Sequence, residues 1–214
     1  MKRTLPCAVA ASAVALGLGV SAPASAEVSA SASLATIYLW RGQDVSMGGA
    51  QFAADLMYGH ESGAYGGIWI SSEDEGIEYD LFAGWSGTFE DFGVDVSVWN
   101  YIYPSDAEND SFGDLTEVIL TLSYMDFAFS YYDNIAGDTG YTYYTLSGGY
   151  DQFSALVGFA SPDDSDGEYV HLDLTYAYND NLSFTASTVV DKPDDESLDG
   201  DTLFVASYSV PIDL

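Results

Sequence analysis

The sequence predicts an all-β fold: a transmembrane antiparallel up-and-down β-barrel of about twelve strands, with short periplasmic turns and longer acidic extracellular loops. Three observations predict it. Side chains alternate apolar and polar along most of the chain, the strand period, which no helical spacing matches. Most alternating segments hold 9 to 12 residues, close to the ~9–11 that a tilted strand needs to cross a bilayer. Short and long connections follow one another without exception, as they do when one rim faces the periplasm and the other the outside.

Residues 1–26 come before the barrel. Lys2 and Arg3 precede a short apolar run, Ala8 to Val20, and then Ala24-Ser25-Ala26. That order is expected of a cleaved secretory signal for export through the Sec pathway. Cys7 lies ahead of the apolar run rather than at its end, which argues against a lipid anchor. Residues 27–214 then make a single outer-membrane barrel domain, with no linker dividing it.

The segments are 28–40, 50–60, 64–72, 78–89, 92–103, 115–125, 127–133, 141–150, 152–160, 169–178, 182–190 and 202–213. In the first, Ile37 and Leu39 make both faces apolar, so the pattern leaves the facing of its end open. In the second, Phe52, Ala54, Leu56 and Tyr58 alternate with Ala53, Asp55 and Met57. The fourth sets Tyr79, Leu81, Ala83 and Trp85 against Asp80, Phe82 and Gly84, and the fifth sets Val94, Val96 and Val98 against Asp95, Ser97 and Trp99. In the sixth, Val118, Leu120, Leu122 and Tyr124 alternate with Glu117, Ile119, Thr121 and Ser123. The tenth sets Leu172, Leu174, Tyr176 and Tyr178 against His171, Asp173, Thr175 and Ala177.

Turn-forming residues make the short connections: Glu61-Ser62-Gly63, Glu90-Asp91, Asp126, Asp151 and Asn179-Asp180-Asn181. The longer ones are 41–49, 73–77, 104–114, 134–140, 161–168 and 191–201. A soluble periplasmic β-sandwich, the alternative, uses Greek-key crossovers and has no reason to gather its long loops at one end.

A bilayer demands that every backbone N–H and C=O pair within the protein, which strands achieve only by closing on themselves. The aliphatic face then meets lipid, and aromatics gather near the headgroups. Tyr38, Trp40, Tyr58, Trp85, Phe89, Tyr124, Tyr176 and Tyr178 lie near segment ends and are candidates for such girdles. The opposite face carries Asp55, Asp80, Asp95, Glu117 and Asp173, with His171 in phase with Asp173.

Past residue 26 the chain keeps two basic residues, Arg41 and Lys192, against 34 acidic ones, and no cysteine. That excess repels nucleic acid and anionic headgroups, so the expected partners are outer-membrane lipid and small solutes or cations. Without cysteine there is no disulfide or thiolate zinc site.

The stretch Tyr38-Leu39-Trp40-Arg41-Gly42 resembles the Tyr-x-x-Arg-Gly signature of the TorF family of proteobacterial porins. Further stretches match in order: Tyr65-Gly66-Gly67-Ile68-Trp69-Ile70-Ser71, Glu78 to Trp85, Tyr101-Ile102-Tyr103-Pro104, and Glu117-Val118. The resemblance implies a Gram-negative outer-membrane location and a pore. The chain departs from that pattern after Gly42, where Gln43-Asp44-Val45-Ser46 replaces a Ser-Gln pair, and at its end, which lacks a terminal aromatic.

No catalytic constellation, metal site or cofactor motif stands out, and an enzyme is not expected. His60 and His171 are the only histidines, and there is no Gly-x-Ser-x-Gly elbow. Asp163 to Glu168 resembles a calcium loop in composition only, because Pro162 stands where its first ligand belongs. Inward carboxylates with almost no basic partner argue for an aqueous, negatively lined interior, and thus for a passive cation-preferring channel. The other expectation is a non-conducting structural or adhesive barrel with cation-binding acidic loops. Arg41 would either anchor the mouth against acidic groups or line the constriction.

Overall fold

Period-two alternation does build strands here, and the strands close. The computed structural model describes residues 26–73, 76–137, 140–161, 167–192 and 200–214. The expected signal segment 1–25, the 74–75 acids, Asp163 to Asp166 and Asp194 to Glu196 lie outside the described residues.

The strands are β1 (Glu27–Ala35), β2 (Leu39–Trp40), β3 (Gln43–Asp44), β4 (Gln51–Gly59), β5 (Ala64–Glu73), β6 (Gly76–Phe89) and β7 (Phe92–Ile102). There follow β8 (Leu115–Tyr124), β9 (Phe127–Ala136), β10 (Thr142–Tyr150), β11 (Phe153–Ser161), β12 (Tyr169–Ala177), β13 (Leu182–Asp191) and β14 (Leu203–Ile212). β1 and β4 to β14 form one closed antiparallel barrel of twelve strands, and β2 with β3 is a separate two-stranded hairpin. β1 completes the ring by pairing with β14, from Ala30↔Ile212 to Ala35↔Ser207, and with β4 on its other edge. A two-layer sandwich is therefore excluded.

Two expectations about the connections are corrected. Strand β5 runs to Glu73 and pairs there with Gly76 of β6, so the supposed long connection 73–77 shrinks to residues 74–75. Length thus fails to mark the rim at that one place. The first segment also ends at Ala35 rather than at residue 40. The chain then leaves the wall, and Leu39 packs with Ala35 and Val205.

Three turns at the other rim, after Phe89, Tyr124 and Tyr150, hold two residues each, and in each the first residue has positive φ (Glu90, Met125, Asp151). Such turns match the twist of the flanking strands. Aromatic pairs bracket all three: Phe89↔Phe92, Tyr124↔Phe127 and Tyr150↔Phe153.

The faces segregate cleanly. Phe52, Leu56, Ile70, Leu81, Val94, Val96, Val98, Leu122, Leu146 and Phe204 point outward and are exposed. Between the larger side chains, Gly148, Ala155, Ala186 and Ala206 leave an apolar hollow of about 1080 Å³ on the outer wall. The inward face has two levels. Toward the short turns it carries small groups such as Ser86, Ser97, Thr121, Ser130, Thr175, Ser183, Thr185 and Ser207. Toward the other rim it carries Trp99, Tyr101, Ile119, Tyr132, Tyr141, Tyr143 and Tyr169, which pack together. Serines and threonines cannot fill a cylinder of twelve strands, which is wider than the eight-stranded kind that side chains can fill. At the aromatic level something else enters.

Candidate functional site: the barrel interior

What enters is the β2–β3 hairpin. Trp40 pairs with Gln43, leaving Arg41-Gly42 as a two-residue tip with φ of 48° and 82°. Both central residues left-handed is the signature of the tight hairpin turn that X-Gly sequences favour. Asp44 holds the return strand, accepting from the amides of Ser46 and Gly48 at 2.9 and 2.8 Å. The Tyr38 amide donates to Ser46 Oγ at 2.8 Å. The hairpin is thus held in shape by its own short-range bonds.

Its tip lies in the aromatic level. Arg41 is 8% exposed, and its Nη2 donates to both oxygens of Glu117 on β8, at 2.6 and 2.8 Å. The guanidinium carbon lies 4.5 Å from the Trp40 and Tyr143 ring centroids, 5.0 Å from Tyr141 and 5.1 Å from Tyr132. Cation–π attraction is strongest when, as here, the charge is desolvated. Burial pulls the Arg41 pKa down, but Glu117 outweighs it and holds the guanidinium charged above its ordinary range. Tyr101 donates its hydroxyl to Glu117 Oε2 at 2.8 Å, and Tyr169 donates to the Arg41 carbonyl at 2.9 Å.

Two further contacts dock the hairpin. The Tyr38 hydroxyl donates to Glu78 Oε2 at 2.8 Å, and Tyr103 donates to Oε1 of the same carboxylate at 2.7 Å. Gly42 lies against His171. That histidine heads a buried polar chain: Nε2 meets the Tyr143 hydroxyl at 2.7 Å, and Nδ1 meets Asp173 Oδ1 at 3.0 Å. Ser187 donates to the same Asp173 oxygen at 2.6 Å. Gly158 makes room for it, since a Cβ there would sit 2.1 Å from His171 Nε2.

Register shifts in the barrel wall fall at two places among the described residues, between Thr116 and Glu117 and between Val170 and His171. Glu117 and His171, at these two places, both touch the hairpin tip. The extra residue lies on the partner strand each time, Ile135 of β9 and Val190 of β13, so the wall is irregular where it meets the tip.

All five sequence-identified acids sit on the inward face, but not together. Asp80, Glu117 and Asp173 are buried. Nearer the short turns, Asp55 bonds to Ser31, and the Tyr65 hydroxyl lies 2.9 and 2.8 Å from the two Asp95 oxygens. His171 and Arg41 face inward as well. Among the described residues no three His, Cys, Asp or Glu side chains converge as a metal would require.

The girdle assignment needs two corrections. Tyr38 is 3% exposed on Glu78, and Trp40 stacks on Tyr141 inside the barrel. Both ride on the chain that leaves the wall at Ala35. Tyr58, Trp85, Phe89, Tyr124 and Tyr178 are exposed on the outer face near the short turns, and Tyr176 packs there against Phe153. Sequence reasoning missed Glu78, Tyr132, Tyr141, Tyr143 and Tyr169. The phase of alternation could have flagged all five, since they share the inward phase of Asp80, Ser130, Thr145 and Asp173 in their own segments.

Residues 20–204 match the model of Gcw_chp, described as a bacterial protein of unknown function. The chain belongs to that family. No curated protein matches it. The Gcw_chp match spans β1 to β13 and includes the hairpin, Glu117 and His171.

Proposed function

We propose that this Gcw_chp barrel spans the Gram-negative outer membrane and forms a passive, cation-preferring diffusion channel for small hydrophilic solutes or ions. One observation carries the reading: the wall is apolar outside and hydroxyl- and carboxylate-lined inside. A soluble protein has no use for a continuous exposed belt of Phe, Leu and Val. In a bilayer that belt is the solvated face, and the aromatic pairs at the short turns mark one headgroup level. The resemblance of Tyr38 to Gly42 and later stretches to TorF-family porins supports the same reading.

Cation preference follows from charge. Asp55 and Asp95 lie among small hydroxyl side chains on the short-turn side, where water and a passing cation can reach them. The hairpin narrows the other half and limits passage to small species. The test is reconstitution of refolded protein in planar bilayers under a salt gradient. A reversal potential of the cation-selective sign is expected; anion selectivity refutes the reading.

A second reading, a non-conducting structural barrel, is favoured by one observation. The Trp99 to Tyr169 cluster and the Arg41 tip fill the same level. It predicts no unitary conductance in the same bilayers.

A further inference from the structure

The Arg41 guanidinium is the occupant of a site whose walls belong mostly to other strands, with Trp40 of its own hairpin adding one ring face. Glu117 and Tyr101 supply a carboxylate and a hydroxyl. Tyr132 and Tyr143 supply ring faces from β9 and β10, and Tyr141 another from just ahead of β10. We propose that this enclosure is a binding site for guanidinium-type organic cations, filled in cis by Arg41.

Three features point to that ligand class. The rings surround a flat, weakly hydrated cation on several sides, which suits guanidinium better than a compact, strongly hydrated ion. The carboxylate sits at the edge of the cation, where N–H groups point, and is itself oriented by Tyr101. Third, the Arg41 side chain is not the hairpin's only anchor. The hairpin keeps Leu39 against Val205, Tyr38 on Glu78, Gly42 on His171 and the Arg41 carbonyl on Tyr169. Truncating one side chain therefore leaves a hole bounded by rings and an acid. The inference deepens the channel reading by naming the cation class that the interior accepts, yet it concerns binding and stands without flux.

The experiment uses the Arg41→Ala protein refolded in detergent, with N-ethylguanidinium as the probe. The variant should melt lower than the wild type. Millimolar N-ethylguanidinium should recover at least half of the lost melting temperature, and sodium or tetramethylammonium at equal ionic strength should not. The double variant Arg41→Ala with Glu117→Gln should not respond. Equal recovery by sodium, or an undiminished response in the double variant, overturns the proposal. Where the single variant does not refold unaided, refolding yield with the probe present becomes the readout. A rise supports the site and an unchanged yield overturns it. Conductance is measured separately: binding in micelles with no current removes the channel and keeps the site, whereas current without recovery does the reverse.

Discussion

A Cβ on Gly42 would meet Cβ and Cγ of His171 at 2.6 Å, so the hairpin tip and β12 touch where only a hydrogen atom fits. The same glycine has a φ of 82°, which a side chain disfavours. Gly42→Ala therefore carries two penalties, backbone and steric, and should cost about 2–4 kcal/mol together. Urea unfolding in detergent measures it. Adding His171→Ala removes the contact with Cγ but not that with Cβ, so it should return only part of the steric cost and leave the backbone part; complete additivity of the two changes would count against the contact.

Glu117→Gln leaves the guanidinium buried without its counter-charge. A loss of roughly 3–5 kcal/mol is expected for breaking a buried pair from one side. Replacing both partners, Arg41→Met with Glu117→Leu, should recover most of it, because no orphan charge then remains. The unfolding midpoints of the three proteins decide.

Alkali should loosen the hairpin through Tyr38. Burial, and then the Glu78 carboxylate, push its phenol well above the ordinary range. A raised folded-state pKa means that this contribution is complete below the unfolded value of about 10 and is lost as pH rises through the folded one. Wild type should thus lose stability above about pH 10 more steeply than Tyr38→Phe. Parallel stability–pH curves for the two proteins would exclude this role.

The four tryptophans divide by face. Trp85 is 49% exposed on the outer wall, while Trp40, Trp69 and Trp99 pack at the interior cluster. In vesicles carrying chain-brominated lipid, Trp85 should supply the quenched fraction of the fluorescence. Trp85→Phe should abolish quenching; quenching that survives the change contradicts a lipid-facing outer wall.

Selectivity should depend on the acids of the hydroxyl-lined half. Asp55→Asn with Asp95→Asn is expected to move the reversal potential toward zero, with little change in unitary conductance. Excision of the hairpin, residues 39–44, should instead raise conductance. Opposite assignments of the two effects would put the constriction at the wrong level.

The wall was legible because its code is local. Val94, Val96 and Val98 against Asp95, Ser97 and Trp99 give the phase of β7, and the phase gives the facing. The hairpin was not legible in that way. Leu39, Trp40 and Arg41 suit a rim or an interior equally well, and alternation describes a residue relative to its strand, not the path of a connection. The two apolar faces at Ile37 and Leu39 were the trace of it, since a segment surrounded by protein has no wet side. The register shifts opposite Glu117 and His171 depend on how β8 and β12 pair with β9 and β13, information that no single segment contains.

Arg41 and Glu117 are 76 residues apart in the chain, and β8 stands five strands from β1 in one direction and seven in the other. Their bond is therefore a spoke across the cylinder. Halving the remaining stretch to be closed saves only about 0.6 kcal/mol of loop entropy, so the spoke contributes little by shortening the search. Its larger effect is on the closed ring: it ties the chain that leaves β1 to the wall five strands away, so the barrel cannot widen along that line without stretching an ion pair.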